Sequence, residues 1–154
     1  MAIRNIREDG DEVLAKKCRE VVNFDKKLHI LLDDMWETMY DAPGVGLAAP
    51  QVGILRRVVV IDTGEKGEKV ELINPVIVYK KGEREVSEGC LSVPGVRGLV
   101  KRPEKVIVRA YDRNGNEFER QAEGLLAQAF CHECEHLDGK LFTSKVVRFL
   151  NDDE

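Results

Sequence analysis

The chain has no long apolar run. Its longest hydrophobic stretches fall far short of the roughly 20 residues needed to cross a bilayer, which excludes a helical membrane protein. The first twenty residues, MAIRNIREDGDEVLAKKCRE, are heavily charged and lack the apolar core of a secretory signal. Basic excess is also missing. Lys and Arg number 24 against 28 Asp and Glu, for a net charge of −4. That removes the electrostatic footprint of a nucleic-acid-binding protein. Repeats, low-complexity tracts and linkers are absent. The expectation is a cytoplasmic protein with no membrane and no direct nucleic-acid specificity. Cysteine and histidine are scarce, at four and three. In a reducing compartment, cysteines near histidines point to metal or catalysis before disulfides.

What is present suits one domain spanning 1–154. About 43% of residues are hydrophobic, enough for a core without disulfide staples. Residues 25–40 read as an amphipathic helix, with Asp25 as its cap and Leu28, Leu31, Leu32, Met35 and Met39 at helical spacing. Pro43 and Gly44 end it. His29, on this helix, reads as a packed or solvated side chain. Residues 57–62, 70–79, 105–111 and 117–121 read as strands, with a turn at Asn114-Gly115 between the last two. A second helix is expected from near Gly124 through Leu137, ended by Gly139. This order implies an α+β fold: mostly antiparallel sheets around a C-terminal metal-binding helix, with an N-terminal amphipathic helix.

The strongest chemical signal is His132-Glu133-Cys134-Glu135-His136. Residues four apart on a helix are offset by only about 40°, so both imidazoles can reach one metal. Glu133 is rotated by about 100° from His132 and can lean over the water that such a metal activates. The bland alternative is a pair of helix histidines with ordinary hydrogen bonds. Three histidines in the whole chain make a chance match improbable.

A catalytic metal usually takes three protein ligands and keeps one position open. One protease pattern continues His-x-x-Gly-x-x-His; here Gly139 fits, but Phe142 stands at the last position. Only 18 residues follow His136, and none reads as a helix carrying a well-placed Glu. The third ligand is therefore sought upstream. Cys90, in Glu88-Gly89-Cys90-Leu91-Ser92, is the best candidate, because a thiolate is a strong ligand. Gly89 lets backbone approach closely. A buried structural cysteine is the competing reading. In the loop Gly44-Val45-Gly46-Leu47-Ala48-Ala49-Pro50-Gln51, two glycines leave room for a substrate backbone, and Gln51 offers an amide donor for an oxyanion. The other reading is a tight loop only.

These three segments, in this order and spacing, resemble the signature motifs of the bacterial-type peptide deformylase family. The resemblance extends from Ile6 to about Phe142. It implies a metal-dependent hydrolase that removes the N-formyl group from formyl-methionyl nascent peptides, in transient contact with the ribosome, and releases formate. It implies Cys90, His132 and His136 as ligands of Fe(II), with Zn(II), Ni(II) or Co(II) able to substitute. Glu133 is then general base and acid, and Gln51 with the Leu91 N–H binds the carbonyl oxygen. Gly44, Val45, Gly46, Glu88, Gly89, Arg97, Leu125 and Ala129 fall at substrate-binding or supporting positions. Of these, Val45, Leu125 and Ala129 are expected at the methionine pocket.

Two positions depart from the family pattern. Cys131 stands where Gln is usual, and Glu135 where Asp is usual. By resemblance, Glu135 is expected to support a ligand histidine with a longer reach. Besides a family member that has lost activity, against which the intact Glu133 weighs, two rivals remain on sequence grounds. One is a zinc endopeptidase. The other is a structural zinc site of Cys131, His132, Cys134 and His136. Helix geometry speaks against the second, since Cys134 and Cys131 lie about 160° and 140° around from His136.

Overall fold

The computed structural model describes residues 2–151 and 153. Helix α1, Lys26–Asp41, begins where Asp25 accepts a hydrogen bond from the Leu28 N–H at 3.1 Å. Its expected apolar positions, Leu28, Leu31, Leu32, Met35 and Met39, are all buried. His29 is held by the Arg113 carbonyl at 2.9 Å, as a packed histidine should be.

Strand β1, Gly46–Ala48, occupies the glycine-rich loop, and a short 3-10 helix, Ala49–Val52, follows it. Then come β2 (Val58–Asp62), β3 (Lys69–Lys81), β4 (Arg84–Cys90), β5 (Val93–Arg102), β6 (Lys105–Tyr111) and β7 (Glu117–Glu123). Helix α2, Gly124–Leu137, and a final short strand β8, Arg148–Leu150, complete the chain. The strands form two antiparallel sheets, one ordered β1-β2-β3-β6-β7 and the other β4-β5-β8.

The run Val58-Val59-Val60-Ile61 explains how the larger sheet is covered. Side chains alternate across a strand. Val58 and Val60 join the cluster built on α1, while Val59 and Ile61 join the cluster built on α2. At β2 the sheet is thus buried on both faces, and that strand reads as a continuous apolar run. Helix α2 is wedged so tightly that residues 126–133 are all buried. That is why its sequence shows no clean polar stripe. It ends as expected. Gly139 takes φ +77°, and its N–H donates to the His136 carbonyl at 3.1 Å. A side chain there would also place its Cβ 2.6 Å from the Ala15 carbonyl oxygen.

The second sheet was only partly expected. β4 is charged and alternating, and the β5 sequence is broken by Pro94 and Gly95. The tail after α2, which lacks helical pattern, forms a 3-10 turn at Phe142–Lys145 and then pairs as β8 along β5.

Candidate active site

Three elements deliver the motif residues to one cavity of about 670 Å³. β1 and its flanking loop bring Gly44, Val45, Gly46 and Gln51. β4 and the following turn bring Glu88, Gly89, Cys90 and Leu91. α2 brings Leu125, Ala129, His132 and Glu133, and Arg97 of β5 lies on the rim. His136 lies behind the wall, fully buried. Its Nε2 is 3.3 Å from the Cys90 Sγ.

The donor atoms of Cys90, His132 and His136 lie within 4.8 Å of one another. Tetrahedral coordination with S and N bonds near 2.3 and 2.0 Å puts such atoms roughly 3.5 Å apart. The Cys90–His136 separation already fits. Neither Cys131 nor Cys134 belongs to this group. Cys131 instead packs in the apolar cluster between α2 and the larger sheet. Phe142 is also a core residue, stacked on the His132 ring with centroids 5.9 Å apart.

The surroundings fix the tautomer of His132. Its Nδ1 is hydrogen-bonded to Glu88, which leaves Nε2 for the cavity side. Burial alone would raise the Glu88 pKa. Hydrogen bonds from His132 and Arg102 outweigh it and hold the carboxyl down at about 2. Arg102 donates from Nε at 2.9 Å, and Gln128 adds a third donor at 3.1 Å. Burial works the other way on His136 and lowers its pKa to about 3, assisted by the charge of His132. A neutral imidazole is what a metal requires. One sulfur and two imidazole nitrogens within 4.8 Å of one another suit one divalent ion.

Glu133 is 4% exposed, and its Oε1 has no hydrogen-bond partner. Desolvation raises its pKa to about 7, against the opposing charge of His132. Such a carboxyl can give and take a proton near neutrality. Gly46 makes this placement possible. A Cβ there would sit 2.6 Å from Glu133 Oε2. Gln51 is equally fixed. Its Oε1 accepts from the Ala48 N–H at 2.9 Å, and its Nε2 reaches Ser92 Oγ at 3.0 Å and the Cys90 Sγ at 3.6 Å.

The polypeptide deformylase family model matches residues 3–151. A peptide deformylase of Caldicellulosiruptor bescii is 58% identical over 154 residues, covering all of this chain and 92% of that protein. The crystal structure of a peptide deformylase from Legionella pneumophila superposes with a TM-score of 0.91 at 51% identity, covering 94% of this chain and 86% of that one. The Thermotoga maritima peptide deformylase structure gives a TM-score of 0.91 at 38% identity, over 95% of this chain and 99% of that one.

The chain belongs to the peptide deformylase family.

Within that family frame, one expectation about Glu135 needs correction. It does not support a ligand histidine. Its Oε2 accepts from Arg102 at 2.9 Å and from Lys145 at 2.5 Å, while Glu88 holds His132. The reason is direction. Glu135 is rotated about 60° from His132 and about 100° from His136 around α2, and its carboxylate meets Arg102 of β5. Arg102, Gln128 and Ser92 were missed by sequence reasoning. A signal for Arg102 did exist. Gly98, Val100 and Arg102 alternate as the buried face of β5, so an arginine holds an inward register position.

Proposed function

We propose that this deformylase works as a metal-dependent hydrolase on formyl-methionyl nascent peptides, with Cys90, His132 and His136 holding Fe(II). The observation that carries the reading is the convergence of those three donor atoms beside an unpartnered, buried Glu133 oxygen. When bound, the metal acts as a Lewis acid and lowers the pKa of water. Glu133 takes the proton of the attacking water and then hands it to the leaving amine, so water and formamide become formate and a free N-terminus. The Gln51 Nε2–H and the Leu91 backbone N–H stabilise negative charge on the formyl oxygen. Val45, Leu125 and Ala129 receive the methionine side chain, which supplies binding energy to position the formyl group. Gly44, Gly46 and Gly89 let the peptide backbone approach, and Arg97 reaches toward it from the rim.

The topology favours an extended substrate. β1 ends one sheet and β4 ends the other, and both free edges border the cavity. An edge strand offers unpaired N–H and C=O groups to a peptide. The proposed setting is the cytoplasm, on chains leaving the ribosome.

The test is formate release from formyl-Met-Ala-Ser by protein purified anaerobically with Fe(II), beside casein cleavage. Formate without casein cleavage is the expected result. Casein cleavage without formate would overturn the reading.

A further inference from the structure

The 3-10 turn Phe142–Lys145 takes no part in the chemistry above, yet it packs against the candidate ligands from behind. Leu141, Phe142 and Val146 share one apolar cluster with Val93, Val100 and Cys90. Phe142 is buried, and its ring also stacks on His132. Just downstream, the Val147 N–H donates to the Leu99 carbonyl at 2.8 Å. Val146 lies over Gly98, where an added Cβ would come within 2.7 Å of its methyl groups. The turn is thus pinned to β5 on one side and to His132 on the other.

One ion pair closes the polar side of the same turn. Lys145 Nζ lies 2.5 Å from Glu135 Oε2, the oxygen that also accepts from Arg102 at 2.9 Å. Glu135 Oε1 is buried and has no hydrogen-bond partner among the described residues, so this carboxylate depends on the two cations alone. Arg102 in turn carries Glu88, and Glu88 holds His132 Nδ1. The charges balance only with the lysine included. Glu88 and Glu135 bring two negative charges and Arg102 one positive, all three largely buried, and Lys145 supplies the second positive charge. A buried carboxylate without its cation is costly, so without Lys145 the two carboxylates would compete for one guanidinium. The bridge also needs the length of glutamate. An aspartate at 135 would fall short of Lys145 by about 1.5 Å, one carbon–carbon bond.

We propose that the turn Phe142–Lys145 is a clasp for the metal centre, with Lys145 as a positioning residue that acts on His132 through Glu135, Arg102 and Glu88. The proposal rests on the Cys90, His132 and His136 ligand set of the deformylase reading and adds a determinant of metal retention to it. A ligand imidazole gives up a metal by rotating or withdrawing. The Glu88 bond opposes rotation of His132, and the Phe142 ring opposes its withdrawal. Cutting the Lys145 contact weakens both restraints at once. Arg102 is then drawn toward Glu135 at the expense of Glu88, and the turn that carries Phe142 loses its one polar tie to α2.

The experiment loads the full chain with Co(II) without air and follows release to excess chelator through the thiolate-to-metal absorption band. Lys145→Met should speed release by roughly three- to tenfold, less than the 10–100-fold expected for a direct partner of a ligand. Loss of the charge alone would slow release, because the negative charge left behind attracts the ion. The sign therefore separates positioning from simple electrostatics. Lys145→Arg should restore the wild-type rate. In a Glu135→Gln background, Lys145→Met should have no further effect. Lys140→Met removes the same charge at an exposed position whose side chain has no partner among the described residues, and it should leave the rate unchanged. Melts of the metal-free proteins check folding, and where Lys145→Met does not fold, Glu135→Asp should speed release in its place. A release rate for Lys145→Met, or for that substitute, at or below the wild-type rate overturns the clasp. So does an equal acceleration by Lys145→Met in the Glu135→Gln background. A wild-type chain that binds Co(II) without the thiolate band, or does not bind it, would instead sink the ligand set and the clasp with it.

Discussion

Arg102 and Glu88 form a buried two-pronged ion pair directly behind His132, with Arg102 Nε 2.9 Å from Glu88 Oε2 and both side chains at most 5% exposed. Arg102 also binds Glu135, so it anchors two carboxylates at once. Removing one partner of a buried pair strands the other charge, at a cost of about 3–5 kcal/mol. Arg102→Met should therefore lower stability by that order. It should also weaken metal binding by roughly 10- to 100-fold, because Glu88 loses the group that aims it at His132. Thermal melts of the metal-free protein and chelator competition would separate the two effects. A variant that melts like the wild type and binds metal equally well would show that the network is ornamental.

Glu133 and Gly46 make a matched pair, and each can be tested. Glu133→Gln should retain the metal yet lose at least ~10²-fold in kcat, since the proposed mechanism routes both proton transfers through that carboxyl. Gly46→Ala should act on the same group by displacement, because the added Cβ would sit 2.6 Å from Glu133 Oε2. A kcat loss of about tenfold or more is expected with the fold intact. Near-normal kcat for Glu133→Gln at saturating substrate would require another base.

The legible parts of this protein share one physical trait: a periodic or chemically rare pattern. Helix α1 showed apolar residues at helical spacing, and the second helix carried two of only three histidines. β2 is a buried apolar run, and β6 buries alternate apolar residues, Val106, Val108 and Ala110. β4 and β5 were harder, because a charged edge hairpin interrupted by Pro94 and Gly95 carries little periodic signal. β8 had none, since three residues gain their strand character only by pairing with β5. The cavity residues of the three motifs stood out in sequence. The supports Arg102 and Gln128 did not, because a buried polar residue is recognisable only once its partner is known.

Asp34 ties the start of the chain to α1. It accepts from the Ala2 N–H at 2.7 Å and from Arg4 Nε at 3.0 Å. Burial would raise its pKa, but these bonds outweigh it and lower the value below the ordinary one. A carboxyl held low in the folded state stabilises the fold above the unfolded pKa of about 3.9, and loses that contribution as pH falls through the lower folded value. Asp34→Asn should thus cost about 1.5–3 kcal/mol at pH 7, as expected for hydrogen bonds to a charged group. The gap to wild type should narrow in melts below about pH 4. A gap that stays constant from pH 7 to pH 3 would mean that Asp34 acts by shape and not by charge.

Cys90 and Cys131 differ in exposure, and that difference predicts which thiol limits lifetime in air. Cys90 lines the cavity, where oxidants can reach it. Cys131 is 5% exposed in the apolar cluster, and burial raises its thiol pKa. Thiolate, the reactive form, is therefore scarce at Cys131. Oxidation of the Cys90 sulfur, or of iron itself, would remove a working ligand set, because an oxidised sulfur is a poor ligand. The Fe(II) enzyme should lose activity quickly in air, and the Ni(II) form should persist. Cys131→Ala should change neither lifetime appreciably. The check is formyl-peptide turnover after timed air exposure, with the oxidation state of each cysteine read by mass spectrometry. Equal lifetimes for the two metal forms would defeat the metal argument. Strong protection by Cys131→Ala, with Cys90 found reduced in the inactive wild type, would move the lesion to the buried thiol.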